Sequence, residues 1–571
     1  MNPTDMLGKT LDAIRRSLAA PDGWTLGSLA LAGVLLMPLV AVAWMALNPT
    51  ENIWPHLVAT VLPVYLANTL MLMGLVALGT ACIGTGAAWL VVMTEFPGRR
   101  VLEWALLAPL AVPAYIGAYA LVDLLEYAGP VQGVLRALFG WQSARDYWFP
   151  EIRSIWAAAF VLTMALYPYV YFLARAAFRE QSVCALEVGR TLGLRPWGVF
   201  WRIGLPLARP AVAVGVALAM METLNDFGAV DYFAVQTLTR GVFTIWLETF
   251  NAGGAAQISM VMLGFVLLLL ALERVSRRGR RFHHASRRYQ PIRRTRPKGA
   301  KRWAVVGLCA APVAFGFVLP TAVIGWYATR YLGEWLEPAF WRAALHTAVL
   351  ATLAAAIACA VGVFMVYGAR ASRHAAARWL AQATALGYAA PGAVLAVGVL
   401  IPLAALDHRI ADLAEAWLGV DPGLLLTGSA AAVVFAYVVR FAAIAHGAVD
   451  SALGRVTPAM ESAARTLGET RRGALVRVHL PLIKGSVLTA GLLIFVDSAK
   501  ELPATLILRP FNFETLATTV YGAASREQLA EAGPAALAII VVGLLPVALL
   551  ARMMDRTRPG ETGKSVIEAI T

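Results

Sequence analysis

Two related stretches of sequence decide the fold of this chain. Residues 187–206 read EVGRTLGLRPWGVFWRIGLP, and residues 461–481 read ESAARTLGETRRGALVRVHLP. When the RTLG at 190–193 is placed on the RTLG at 465–468, the offset is 275 residues, and nine of the eighteen residues in 190–207 are identical. Pro113 and Pro391 repeat at a similar offset of 278. A repeat of this length predicts a tandem duplication.

The composition around these stretches is that of a membrane protein. Of 571 residues, 59% are hydrophobic and only 14% are charged, and the mean hydropathy is +0.67. A soluble protein of this size could not solvate such a composition, so we expect an all-α protein that crosses the membrane many times.

Apolar runs near the ~20 residues that a membrane helix needs predict twelve spans, six in each half. Numbered in chain order, they are expected at 24–47, 68–94, 101–124, 154–175, 207–227, 256–273, 303–326, 344–368, 378–404, 425–447, 482–500 and 532–552.

The charge of the chain is concentrated in one segment. Lys plus Arg number 48 and Asp plus Glu 34, a formal charge of +14. Thirteen of the basic residues and no acidic residue lie in 274–302, and the rest of the chain has a net charge of only +1. The positive-inside rule predicts that this segment and both termini are cytoplasmic. The charge then reports topology, and nucleic acid is not an expected partner.

These observations predict three parts. Residues 1–273 form a first six-helix half that contains 187–206, residues 274–302 form a basic cytoplasmic linker, and residues 303–571 form a second half that contains 461–481. Each repeated block is expected to be a short amphipathic helix that stops at a glycine, followed by a second short helix that ends at a proline. It lies between the fourth and fifth spans of its half, where a rigid knob can dock into a partner.

The repeated blocks resemble the EAA loop of ABC-importer permeases. The pattern of that loop is EAA, three residues, Gly, nine residues and Ile-x-Leu-Pro. Val188 and Gly189 replace the two alanines in the first copy, and Ser462 stands at the acidic position in the second, with Glu461 one residue earlier. The residues that the resemblance assigns to docking are Glu187, Gly193, Ile203, Leu205, Pro206, Glu461, Gly468, Val478, Leu480 and Pro481.

The resemblance implies the type I ABC-importer permease fold and a transport subunit without an enzymatic site. In that family the loops dock a cytoplasmic ABC ATPase dimer, which binds the ATP and Mg, so this chain is expected to bind no cofactor itself. Residues 560–565, GETGKS, look like part of a phosphate loop, but Arg558 stands where the first glycine of such a loop is required.

Two further stretches bear on the substrate. ETLNDFGAVDYF at 222–233 and KELPATLILRPFNFETLATTVY at 500–521 resemble the fused, two-half ferric-iron permeases of the Fbp type. The resemblance implies a periplasmic binding protein that delivers Fe(III) to a permease in the bacterial inner membrane. Importers of phosphonate, thiamine, polyamine or a similar small solute remain alternatives. An ion-driven secondary transporter with a twofold repeat is a rival, but it leaves the repeated blocks unexplained.

Four carboxylates follow the repeated blocks at matching positions. Glu222 and Asp226 match Asp497 and Glu501 at the offset of 275. A spacing of four residues predicts that each pair shares a helix face, and carboxylates at this depth are expected to face a cavity. We interpret the four as a candidate translocation path or metal site for a hard cation. Alternatively, they cap helices or pair with Lys500 or Arg240.

Overall fold

The computed structural model describes residues 22–555 except 182–186, 190, 278–293, 373, 385–386, 388–389, 455 and 457. Within these ranges the regular structure is helical, apart from one isolated bridge between Thr94 and Thr295. The predicted all-α fold is confirmed. The termini, the tail at 560–565 and most of the predicted linker lie outside the described residues.

Eleven helices in the described part of the chain are long and apolar enough to cross a membrane, or twelve if one bent pair counts as a single span. The eleven are Gly23–Leu47, Leu62–Met93, Ile155–Glu180, Pro196–Asn225, Ala252–Leu272, Ala300–Arg330, Pro338–Ala371, Gly392–Leu418, Ala431–Leu453, Leu475–Ala499 and Leu529–Leu550. Shorter helices between them include Pro130–Phe139, Gly228–Tyr232, Leu238–Leu247, Ala376–Thr384, Pro458–Thr466, Pro503–Leu508 and Leu516–Ser525. The predicted number of spans agrees with this count.

The third and ninth spans differ from their predicted bounds because each is interrupted before a proline. The predicted 101–124 is a bent pair, Arg99–Ala111 and Ala114–Phe139, with an angle of 93° between its parts. The predicted 378–404 is divided between Ala376–Thr384 and the membrane helix Gly392–Leu418. Pro113 and Pro391 each stand at the N-cap of the second helix. Because proline has no N–H, it begins a new helix in preference to continuing the old one.

The chain divides into two compact units. In the described residues, unit 1 comprises 22–55, 242–263 and 341–518, and unit 2 comprises 56–241, 264–340 and 519–555. The units are defined by packing, whereas the predicted halves are defined by the sequence repeat. The boundary that we predict within 274–302 therefore separates the two sequence repeats and not the two packed units.

Unit 1 is packed through small residues. Helix Gly392–Leu418 lies against helix Gly23–Leu47, and a Cβ added to Gly398 would lie only 2.2 Å from the backbone oxygen of Pro38. Its hydrophobic core contains many alanines, among them Ala354, Ala358, Ala396, Ala432, Ala436 and Ala445. Small side chains let helix backbones approach closely, which is how membrane helices gain dispersion contacts in an apolar solvent.

Unit 2 is packed in the same way. Helix Leu62–Met93 lies along helix Ile155–Glu180, and a Cβ on Gly84 would lie 2.7 Å from the Cβ of Val170. A Cβ added to Gly215, in the helix that follows the first repeated block, would lie 2.7 Å from the Cα of the same Val170. The fourth span therefore contacts each of these two helices at a glycine, and the two helices also contact each other.

Candidate functional site: the repeated loops and the carboxylates beyond them

The first repeated block, which we call loop 1 (187–206), begins with a short helix that ends at glycine. Gly193 has φ +83°, and the amide of Leu194 donates to the carbonyl of Gly189 at 3.1 Å. This is the Schellman arrangement, in which a left-handed residue ends the helix and satisfies its last carbonyls. Glycine adopts that conformation without a steric penalty, and the predicted glycine stop is confirmed.

Loop 2 (461–481) repeats this geometry. Gly468 has φ +91°, and the amide of Glu469 donates to the carbonyl of Ala464 at 3.1 Å. Glu461 lies within helix Pro458–Thr466, but its side chain is outside the described part of the structure. Ser462 is exposed. Both candidates for the acidic position of loop 2 therefore remain predictions.

Gly189 has a role that the sequence analysis missed. A Cβ on this residue would lie 2.4 Å from Cδ1 of Ile203, so the short helix packs directly on the apolar side chain that ends the motif. The residue that matches Gly189 at the offset of 275 is Ala464, which is also buried. A small residue at this position closes each loop on itself, and the motif's second alanine is the signal that could have indicated it.

The second half of each loop corrects one expectation, because the second short helix does not end at the proline. It continues through a π-helical turn, Phe200–Gly204 in loop 1 and Leu475–His479 in loop 2, into the membrane helix beyond. Pro206 and Pro481 lie in the first turn after these segments. A π turn shifts the hydrogen-bond register, so the missing N–H of proline is tolerated. Each loop is therefore continuous with its membrane helix.

Both loops expose large apolar side chains. In loop 1 these are Val188, Leu192, Trp197 and Trp201, and Leu192 is 77% exposed. In loop 2 and the residue before it they are Met460, Leu467 and Val476, and Leu467 is 86% exposed. Glu187 is exposed beside Val188. Grouped apolar side chains next to charge mark interaction surfaces.

Behind loop 1 lies a buried ion network centred on Glu103. Its carboxylate accepts from Arg99 at 3.0 Å and from Nε of Arg175 at 2.9 Å, and its backbone carbonyl accepts from the Tyr171 hydroxyl at 2.8 Å. Glu103 and Arg99 are each 8% exposed. A buried carboxylate needs such partners, because an unpaired charge in the interior is strongly destabilising.

The end of the predicted linker is attached to this network. The amide of Thr295 donates to the carbonyl of Met93, and the amide of Glu95 donates to the carbonyl of Thr295, both at 2.9 Å. The Glu95 carboxylate lies 3.5 Å from Arg99 and 3.6 Å from Arg294. Two backbone bonds and shared charges thus fix residues 294–295 to the end of the second span, which the sequence analysis did not predict.

The four predicted carboxylates do not form two pairs on helix faces. The helices end at Asn225 and Ala499, so Asp226 and Glu501 lie beyond them. Asp226 accepts from the amides of Ala229 and Val230 at 2.9 and 3.2 Å. Glu501 accepts from the amides of Ala504 and Thr505 at 3.1 and 3.2 Å. The helix-face prediction was wrong because each residue caps the short helix that follows.

The surroundings of the two capping carboxylates differ. Glu501 is 5% exposed and pairs with Arg440 at 3.3 Å, whereas no ion pair of Asp226 is found among the described residues. Asp497 pairs with Lys500 at 2.9 Å, as one alternative predicted. Glu222 is half-buried on its helix. Among the described residues no group of three His, Cys, Asp or Glu side chains is placed to hold a metal ion.

A second polar cluster in unit 2, next to Asp226 in the chain, was missed. Asp231 accepts from the Tyr521 hydroxyl at 2.9 Å and pairs with Arg240 at 3.0 Å. Burial raises the pKa of Tyr232 to about 12 and also raises the pKa of Tyr521, so both phenols stay protonated and can donate. Arg240 therefore pairs with Asp231 and not with the four predicted acids. A separation of 290 residues between Tyr521 and Asp231 leaves no local pattern to find.

Comparisons with known proteins indicate the class of protein to which this chain is similar. Residues 80–281 match the family described as "binding-protein-dependent transport system inner membrane component". The match covers about a third of the chain, and together with the helical architecture and the repeated loops it supports the resemblance of this multi-pass membrane protein to the permeases of ABC importers.

Individual relatives narrow the resemblance. The Fe(3+)-transport system permease protein FbpB 2 of Haemophilus influenzae is 24% identical over 497 residues, which cover 85% of this chain and 89% of the relative. The putative ferric transport system permease protein FbpB 1 of the same organism is 22% identical over 469 residues, which cover 78% and 70%. The molybdenum transport system permease protein ModB of Escherichia coli is 29% identical over 200 residues, which cover 33% of this chain and 84% of the relative. These two relatives named for ferric transport thus match most of this chain, whereas ModB matches a third of it.

Proposed function

We propose that this chain is the membrane subunit of a binding-protein-dependent importer for ferric iron. The observation that carries the proposal is the share of this chain that each relative matches. A relative named for Fe(3+) transport matches 85% of this chain, whereas the molybdenum permease matches a third of it. Both relatives named for ferric transport match more than three quarters of this chain.

Loops 1 and 2 are the proposed docking points for a separate ABC ATPase dimer, which supplies ATP and Mg. Their exposed apolar side chains, with Glu187 beside them in loop 1, suit insertion into a partner's cleft. Because each loop continues through a π turn into the membrane helix beyond it, movement of the ATPase is transmitted to the fifth and eleventh spans. This coupling lets ATP binding shift the permease between two states.

The proposed orientation places both loops, both termini and the 274–302 linker in the cytoplasm. The basic linker carries thirteen positive residues and no negative one, which is the pattern of a retained cytoplasmic segment. A periplasmic binding protein would then deliver Fe(III) to the opposite face. The predicted carboxylates Glu222, Asp226, Asp497 and Glu501 remain the proposed hard-cation path.

The substrate test uses the complete transporter. The chain is purified with its ATPase and binding-protein subunits, and ATP hydrolysis is measured in vesicles with the binding protein loaded with Fe(III), molybdate or sulfate. We expect several-fold stimulation by the Fe(III) form alone. Stimulation by molybdate or sulfate would overturn the iron assignment, and uptake without ATP hydrolysis would establish the rival secondary transporter.

The docking test uses glycines with matched geometry. Replacing Gly193 and Gly468 together by valine forces a β-branched residue into a left-handed conformation in both loops, and we expect loss of ATPase co-purification. Gly419→Val is the control, because Gly419 also has positive φ, +65°, at a helix end with open space around it. Retention of the ATPase by the double variant would contradict docking through these loops.

A further inference from the structure

A cavity of about 780 Å³ lies in unit 1, on the side of the membrane helices that leads into loop 2. Its walls are the end of helix Pro338–Ala371, the end of helix Ala431–Leu453 and the helix Ala376–Thr384. This volume falls within the range of small-molecule sites. Its polar lining consists of Arg370, Ser372, Arg378, Gln382, His446 and Asp450.

Two of these side chains, Arg370 and Ser372, make hydrogen bonds within the wall of the cavity. Arg370 donates to the carbonyl of Leu453 at 2.7 Å and to that of Val456 at 2.8 Å. Leu453 is the last residue of the tenth span and Val456 lies three residues beyond it, so the guanidinium satisfies a carbonyl that the helix terminus leaves open and a second one just after it. The Ser372 hydroxyl donates to Asp22 at 3.0 Å. The cavity is therefore held open by specific contacts and is not a gap between loose segments.

The remaining side chains converge on the cavity from two helices. Arg378 and Gln382 are one turn apart on the same face of helix Ala376–Thr384, and both are exposed. His446 lines the opposite side of the cavity from the tenth span.

The charge of the lining favours an anion. Arg370 and Arg378 contribute two positive charges, and Asp450 contributes one negative charge. A guanidinium fork, an amide NH₂ and an imidazole N–H together match the oxygens of a phosphate group. Trp379, next to Arg378, is 73% exposed, and tryptophan is enriched at the level of lipid headgroups. The cavity thus opens near the membrane surface.

We propose that this cavity binds a phosphate group at the cytoplasmic surface of the membrane, through Arg378, Gln382 and His446. The orientation rests on the proposed function, but the binding does not depend on the transported substrate. Basic pockets between membrane helices on this side are suited to anionic lipid headgroups, and inorganic phosphate offers the same oxygens. Arg370 in the wall of the cavity holds the carbonyl of Val456, two residues before helix Pro458–Thr466, so the proposed site lies beside the start of loop 2.

The test measures binding to the full-length chain. Delipidated protein is placed in nanodiscs of phosphatidylcholine, alone, with phosphatidylglycerol added, or with inorganic phosphate in solution. Bound lipid is counted by native mass spectrometry, and the unfolding midpoint is followed in each mixture. We expect Arg378→Gln to weaken phosphate-group binding about tenfold, the cost of one charge-assisted hydrogen bond. Arg302→Gln is the control, because Arg302 is an equally exposed cation at the start of another membrane helix.

The outcomes separate the sources of the ligand. Stabilisation by phosphatidylglycerol but not by phosphate identifies a lipid headgroup, and stabilisation by phosphate in phosphatidylcholine identifies a free anion. Each result supports the proposal if Arg378→Gln reduces it and Arg302→Gln does not. The proposal is overturned if neither phosphatidylglycerol nor inorganic phosphate raises the unfolding midpoint of the protein. It is also overturned if Arg378→Gln and Arg302→Gln bind the phosphate group equally well while their unfolding midpoints in phosphatidylcholine alone are unchanged. Failure here leaves the substrate assignment untouched, since that assignment is tested with the loaded binding protein.

Discussion

Asp226 caps a short helix in the structure, and we also propose it as part of the cation path. Its Oδ1 accepts two backbone amides at the start of helix Gly228–Tyr232, which is a cap that asparagine makes equally well. The charge of Asp226 is therefore not needed for the cap. This separation allows the proposed cation path to be tested without breaking the local structure.

We expect the double variant Glu222→Gln and Asp226→Asn to cut Fe(III) uptake several-fold while ATPase association stays normal, because the negative charges are lost but the cap is kept. Asp226→Ala, which removes the cap as well, should also lower stability by about 1 kcal/mol. Uptake into vesicles and thermal unfolding are the measurements. Glu151→Gln, at an exposed carboxylate, is the control. Unchanged uptake by the double variant would remove these residues from the path.

Single residues also limit what could be predicted from the sequence. Gly193 and Gly468 were predicted correctly because helix-ending glycines follow a local rule. Arg440 could not be assigned to Glu501, because 61 residues separate them and the pairing is made by packing. The role of Gly189 depends on the distance to Ile203, which a spacing rule does not contain.

At the scale of elements, the prolines explain where prediction was right and where it was wrong. Hydropathy averages over a window, so it detects a span but does not detect a break within it. The repeat pairs Pro113 with Pro391, yet hydropathy predicts a continuous helix through each of them. In the structure both prolines start new helices. In the loops, by contrast, Pro206 and Pro481 were expected to end helices, and π turns carry the helices past them.

The bridge between Thr295 and the second span gives a prediction about the linker. Thr295→Pro removes the amide that donates to the carbonyl of Met93. It should also weaken the second hydrogen bond, in which the amide of Glu95 donates to the carbonyl of Thr295. We expect amide hydrogen exchange at Glu95 to rise about tenfold, equivalent to ~1.4 kcal/mol of local stability. Thr295→Ser, which keeps both the amide and the hydroxyl, should exchange as the unaltered protein does. Equal protection in the proline variant would show that this bridge contributes nothing to the attachment.

At the scale of the whole molecule, the two compact units are not contiguous in sequence. Unit 1 combines residues before and after the linker, and so does unit 2. The chain passes between the units five times, at 55/56, 241/242, 263/264, 340/341 and 518/519. Hydropathy and the repeat predicted the number of helices and their pairing in sequence. They could not predict which helices pack together, because that depends on side-chain fit between distant segments.

This arrangement predicts the result of cutting the linker. A specific protease site is inserted within 280–290, and the purified protein is cleaved in detergent. We expect the two fragments to co-elute in size-exclusion chromatography and to separate only after denaturation, because each unit contains segments from both sides of the cut. The uncleaved protein gives the reference elution volume. Elution of the fragments as separate particles would contradict the division of the chain into these units.

The difference between loops 1 and 2 has an evolutionary consequence. A transporter assembled from two identical chains presents the same loop twice, and every residue in it must suit both places. Here Gly204 lies against Trp89, where a Cβ would come within 2.4 Å of the ring, while its counterpart His479 packs beside Tyr367 with 5.3 Å between ring centroids. The matched positions of the two loops are therefore filled by different side chains that pack against different partners. Because both loops lie in one polypeptide, each occurs once per molecule, and each can keep packing partners that the other does not have.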